Sequence, residues 1–92
     1  MAKREFTIVN KLGLHARAAT VLVKLAGTFT SEVTINKDGL AINAKSIMGV
    51  LMLAAARDST IVIETVGADE DAALSALGKL IEDGFGELDG ES

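Results

Sequence analysis

Apolar and polar residues alternate near the start of the chain. Phe6 and Ile8 are interleaved with Glu5, Thr7 and Val9, a period of two that predicts a first strand. Lys11-Leu12-Gly13-Leu14 interrupts it as a loop. From about Ala16 to Gly27 the spacing is helical: Ala18, Leu22 and Leu25, and likewise Ala19, Leu22 and Ala26, recur three or four apart, with Gly27 as the expected stop. Alternation returns with Val33 and Ile35 beside Glu32 and Thr34, then with Leu40, Ala41 and Ile42. Between these runs, Asn36-Lys37-Asp38-Gly39 is a tight-turn signal whose glycine supplies positive φ. Ser46 is an N-cap candidate before a short apolar helix of about two turns. Ile61 and Ile63, with Val62 and Val66 on the other face, predict the last strand. A final helix begins near Asp69, where Asp69, Glu70 and Asp71 suit the positive end of the helix dipole. Ala73, Leu77, Leu80 and Ile81 form its buried stripe, and Gly84 and Gly86 end it.

The resulting order, β-α-β-β-α-β-α, predicts an α+β domain of two layers, with helices covering one face of a sheet. A ferredoxin-like arrangement shares this string, so periodicity leaves the strand order open. The helix after Ser46 is apolar nearly all round, yet a two-turn helix on a sheet buries one side. Val50 and Leu53 are the expected core positions, and Ile47, Met48 and Leu51 are left for a partner; the competing reading puts all six apolar residues in the core.

The 92 residues fit one domain, expected over 1–88, with 89–92 as a disordered acidic tail. At 49% hydrophobic and 24% charged the balance is globular. The absence of cysteine removes disulfides and thiolate metal sites. The longest largely apolar run, Ile47 to Ala56, is ten residues, half of the roughly 20 that a membrane helix needs. No secretory signal opens the chain, so a cytoplasmic protein without membrane insertion is expected. Net charge is −4, and unevenly spread: five of nine basic residues lie in the first 24 positions and nine of thirteen acidic ones from Glu64 onward. An acidic chain with three Phe and no Trp or Tyr lacks both the basic footprint and the stacking platform of a nucleic-acid binder. Its basic amino-terminal part suits an anionic ligand or an acidic partner protein.

The only histidine, His15, stands directly before the first predicted helix, in Gly13-Leu14-His15-Ala16-Arg17. A side chain there meets unpaired backbone N–H groups and the positive end of the helix dipole, both of which favour an anion. Arg17 adds a permanent guanidinium with several donors. An imidazole ordinarily titrates near pH 6.5, so its neutral form offers a nucleophilic lone pair near neutrality. One histidine with no partner base argues against hydrolysis, and no His/Cys/Asp cluster for a metal is visible. Local pattern alone leaves two readings open, a phosphoryl acceptor and a merely solvated or capping histidine.

The segment Gly13-Leu14-His15-Ala16-Arg17 followed by Ala19 resembles the active-site segment of the HPr family, the histidine phosphocarriers of the bacterial phosphotransferase system. Lys45-Ser46-Ile47-Met48-Gly49-Val50-Leu51 resembles that family's second signature, and Gly67-Ala68-Asp69-Glu70 also matches; the likeness covers about residues 3–86. The resemblance implies a two-layer open-faced β-sandwich, its four antiparallel strands ordered 1-4-2-3 with three helices on one face. It implies that His15 takes a phosphoryl group on Nδ1 from Enzyme I and donates it to an Enzyme IIA-type protein, with Arg17 binding the group. Partners would dock on the first two helices, through Ala16, Thr20, Lys24, Ile47, Met48 and Leu51. Such a protein is a phosphotransfer component rather than a self-sufficient enzyme, works without cofactor or metal, and is expected as a monomer.

Two features qualify the resemblance. The family usually has proline where Ala18 stands; alanine restores a donor N–H and leaves the sugar or nitrogen branch open. Ser46, beside its capping role, is implied as a regulatory phosphorylation site for HPr kinase/phosphorylase, read by a transcriptional regulator. The alternative function is therefore a chiefly regulatory phosphoprotein, a binding module rather than a sugar-uptake component.

Overall fold

The computed structural model describes residues 1–87. Asp38 and Gly39 both take positive φ, 52° and 87°, the twist that suits a two-residue hairpin. They join β2 (Glu32–Lys37) to β3 (Leu40–Asn43), with Lys37 opposite Leu40. Farther along the chain, β4 (Thr60–Val66) inserts between β2 and β1 (Ala2–Thr7), antiparallel to both. The order is β1-β4-β2-β3, as the family resemblance implies, and it settles the strand order that periodicity left open. The regular β1 ladder stops at Thr7, but Ile8 still donates to the Ser59 carbonyl at 2.9 Å and accepts from Asp58 at 2.8 Å.

Register places Phe6 opposite Ile61 and Ile35 opposite Ile63, so one sheet face is continuously apolar. Over it lie α1 (Ala16–Ala26), α2 (Ile47–Met52) and α3 (Glu70–Glu82), whose buried residues join the sheet's in one cluster. Ala18, Ala19, Leu22 and Ala26 come from α1, Val50 from α2, and Leu77 and Ile81 from α3. The small side chains matter as much as the large ones. At Gly78 of α3 a Cβ would stand 2.6 Å from the Phe6 ring, so the bare backbone lets α3 settle directly on β1. Gly27 caps α1 with φ −66°, so the stop expected there is made without a left-handed residue. None of the helices among the described residues is long and apolar enough to cross a membrane. The expected boundary at 88 and the acidic tail over 89–92 lie outside the described residues.

Asp69 ties two distant segments together. It is the N-cap residue of α3, but its carboxylate turns away from the helix to accept from the Thr30 and Ser31 N–H groups, each at 2.9 Å, and from the Ser31 hydroxyl. These donors, Ser31 Oγ foremost, favour the ionised form and lower the Asp69 carboxyl to about 2. An unfolded aspartate titrates near 3.9, so the stabilisation is complete above about pH 4 and disappears as pH falls through about 2. Asp69→Asn should therefore lower the urea midpoint at neutral pH, and the gap to wild type should close between about pH 4 and pH 2.

Candidate functional site

The loop before α1 is built so that one ring can stand at the helix start. Gly13 has φ +64°, and a Cβ there would lie 2.3 Å from the Ala55 carbonyl oxygen. Without it, the Gly13 N–H reaches the Asn10 carbonyl at 3.1 Å and the Leu14 N–H reaches the Ala55 carbonyl at 2.9 Å. Leu14 is buried, which turns the next residue outward. His15 is the N-cap of α1, extended at φ −74° and ψ 179°, and its carbonyl accepts the first helical bond, from Ala19 at 2.8 Å. The ring makes no cap bond, so the N–H groups of Ala16, Arg17 and Ala18 have no intrahelical partner and their dipoles are available to an anion.

Arg17 lies exposed in this first turn, while the Ala18 methyl is fully buried in the core. Ala16, Thr20 and Lys24 recur at intervals of four along one edge of α1, and the Thr20 hydroxyl donates to the Ala16 carbonyl at 2.8 Å. Alongside, α2 presents Met48 at 71% exposure and Met52 at 64%, with Ile47 and Leu51 more than a third exposed, whereas Val50 and Leu53 are buried. The two-sided helix is thus the one expected, and the all-core reading fails. Ser46 caps α2 through its Oγ, which accepts from the Gly49 N–H at 3.1 Å, and it shares no hydrogen bond with the histidine.

The expectation that His15 has no partner base is overturned. Its Nε2 lies 2.6 Å from Oε2 of Glu87, a residue 72 positions away. After α3 the chain reverses through Gly84, Phe85 and Gly86, all at positive φ (65°, 58° and 75°), with Phe85 buried as the anchor. The turn returns Glu87 to the loop, where its Oε1 accepts from Asn10 Nδ2 at 2.9 Å. The same Nδ2 donates to the Gly13 carbonyl at 2.8 Å, and Asn10 is fully buried. Among chemistry-bearing residues, Asn10 and Glu87 are the ones the chain pattern did not reveal. An ionised carboxylate only accepts hydrogen bonds, so a ring hydrogen is assigned to Nε2, and in the neutral ring the lone pair then lies on Nδ1.

A family model described as the PTS HPr component phosphorylation site matches residues 2–83. The phosphocarrier protein HPr of Cupriavidus necator is 54% identical over 87 residues, covering 95% of this chain and 98% of that protein. The HPr of Neisseria meningitidis is 51% identical with the same coverage. A crystal structure of HPr from Thermoanaerobacter tengcongensis superposes with a TM-score of 0.92 at 41% identity, covering 95% of this chain and 98% of that one. A small open-faced sandwich with a histidine at a helix start defines a phosphocarrier class, and this chain belongs to its HPr family.

The close approach at Gly13 predicts a sharp sensitivity. Gly13→Ala combines a strained φ with a backbone clash and should cost more than about 2 kcal/mol, read as a lowered thermal midpoint.

Proposed function

We propose that the protein is a cytoplasmic phosphocarrier of the phosphoenolpyruvate-dependent phosphotransferase system, accepting a phosphoryl group on Nδ1 of His15 from Enzyme I and passing it to an Enzyme IIA-type protein. The observation that carries the reading is the Glu87 contact at Nε2, which leaves the lone pair of the neutral ring on Nδ1, at the head of a helix whose first three N–H groups have no intrahelical partner. Attack by that lone pair forms the N–P bond as the donor's bond to phosphorus breaks, and the helix start and Arg17 hold the new negative charge. Partners dock on the α1 edge of Ala16, Thr20 and Lys24 and the apolar face of Ile47, Met48 and Leu51, so recognition lies beside the chemistry without using the same atoms.

Incubation with phosphoenolpyruvate and Enzyme I should place one acid-labile, base-stable phosphoryl group on wild type and none on His15→Ala, with both proteins folded. Equal labelling of the variant overturns the assignment.

Ser46 carries a second, regulatory role in this reading. A phosphoryl group at an α2 N-cap adds about −1.5 to −2 charge where the helix dipole tolerates it, so the fold persists while an acidic docking surface is repelled. Ser46→Asp should keep the thermal midpoint yet slow phosphoryl acceptance from Enzyme I roughly tenfold, equivalent to about 1.4 kcal/mol of like-charge repulsion. Unchanged acceptance, with no new affinity for a regulator, removes this role.

A further inference from the structure

We propose that Glu87 is a positioning residue for the release step: its carboxylate holds the proton on Nε2 of phosphorylated His15, so that the imidazole leaves phosphorus as a neutral ring. The proposal rests on the phosphocarrier reading of His15 and concerns the half-reaction in which the group departs.

The contact is built rather than incidental. One carboxylate oxygen lies 2.6 Å from Nε2 while the other is held from behind by Asn10 Nδ2 at 2.9 Å. That amide nitrogen also serves the Gly13 carbonyl, and the arrangement leaves Asn10 Oδ1 buried without a hydrogen-bond partner. Turning the amide over would break both bonds and aim the oxygen at two acceptors without giving it a donor, so the buried oxygen is the cost of holding the Glu87 carboxylate in place. The delivering turn adds a second cost, because Phe85 is a non-glycine residue at φ 58°.

When the phosphoryl group moves on, the Nδ1–P bond breaks and its electron pair returns to Nδ1. The acceptor's nucleophile bonds to phosphorus and gives its own proton to a base on the acceptor or to solvent. Nε2 keeps its hydrogen throughout, and Glu87 neither gains nor loses one. If Nε2 were unprotonated, the leaving group would be an imidazolate anion, and release would slow. Among the described residues, the other charged side chains on the segments around the ring are Lys11, Arg17, Arg57, Asp58, Glu82 and Asp83, and all are exposed. Glu87, with a side chain 9% exposed, is the one charge among the described residues held against the ring in a hydrogen bond.

Wild type, Glu87→Gln and Glu87→Asp, each labelled with ring 15N, are phosphorylated on His15 with Enzyme I and, in parallel, with phosphoramidate, a small donor that needs no partner. Release to an Enzyme IIA-type acceptor and the ring 15N resonances are followed from about pH 6 to pH 9. Losing one charge-assisted hydrogen bond should move the falling limb of release to lower pH in Glu87→Gln, with the change in the Nε2 resonance moving alongside it. Near the top of the range this reads as a release rate reduced about tenfold, partly restored by Glu87→Asp. Superimposable profiles, or a loss of rate equal at every pH, overturn the proposal. If Enzyme I leaves His15 unlabelled, the phosphocarrier reading fails, while the phosphoramidate-labelled proteins still decide the role of Glu87.

Discussion

The side-chain amide of Asn10 is the point on which the site depends. It is fully buried in the loop after β1, and its nitrogen bonds both the Gly13 carbonyl and the Glu87 carboxylate. The first bond closes the tight loop that sets His15 at the start of α1. The second fixes the residue that faces the ring from the other end of the chain. Breaking either bond would leave the buried amide nitrogen short of a partner at a desolvation cost, so it holds these two segments in one arrangement. The rest of the fold supplies rigid supports: β1 locked against β4, and α3 lying close on β1 through Gly78.

Charge around the histidine is divided by ring nitrogen. Nε2 meets a carboxylate, and the helix start offers donors and a positive dipole to an anion. That division suits the proposed carrier chemistry, in which a phosphoryl group takes one side of the ring and a proton is held on the other. The neighbouring α2 contributes no ionisable group of its own and presents apolar surface instead. A carrier has to be recognised in turn by a donor and an acceptor, and an apolar patch beside an anion site suits such a shared docking face.

Much of this was legible from the chain because it is written locally. The Asp38-Gly39 hairpin, the Ser46 cap, the start of α3 at Asp69 and the two-sidedness of α2 each depend on residues a few positions apart. His15 and Arg17 stood out for the same reason, since a helix start is a local pattern. The strand order did not, because β4 pairs with β1 across more than fifty residues and periodicity says nothing about neighbours. The Glu87 contact was hidden further, since several carboxylates near the end of the chain look equivalent in sequence. One signal was available: Gly84-Phe85-Gly86 places a large apolar residue between two glycines after a helix, the composition of a chain that turns back to bury a side chain. Asn10 carried no such mark, because a loop asparagine is ordinarily a solvated one.

The central claim is that the phosphoryl group is carried on Nδ1 of His15 while Nε2 keeps its hydrogen. The direct measurement is one-bond coupling between 31P and 15N in protein labelled on the histidine ring and phosphorylated with phosphoenolpyruvate and Enzyme I. The account predicts coupling to Nδ1 alone, with a hydrogen retained on Nε2; coupling to Nε2, or a phosphorus signal that couples to neither ring nitrogen, would contradict it.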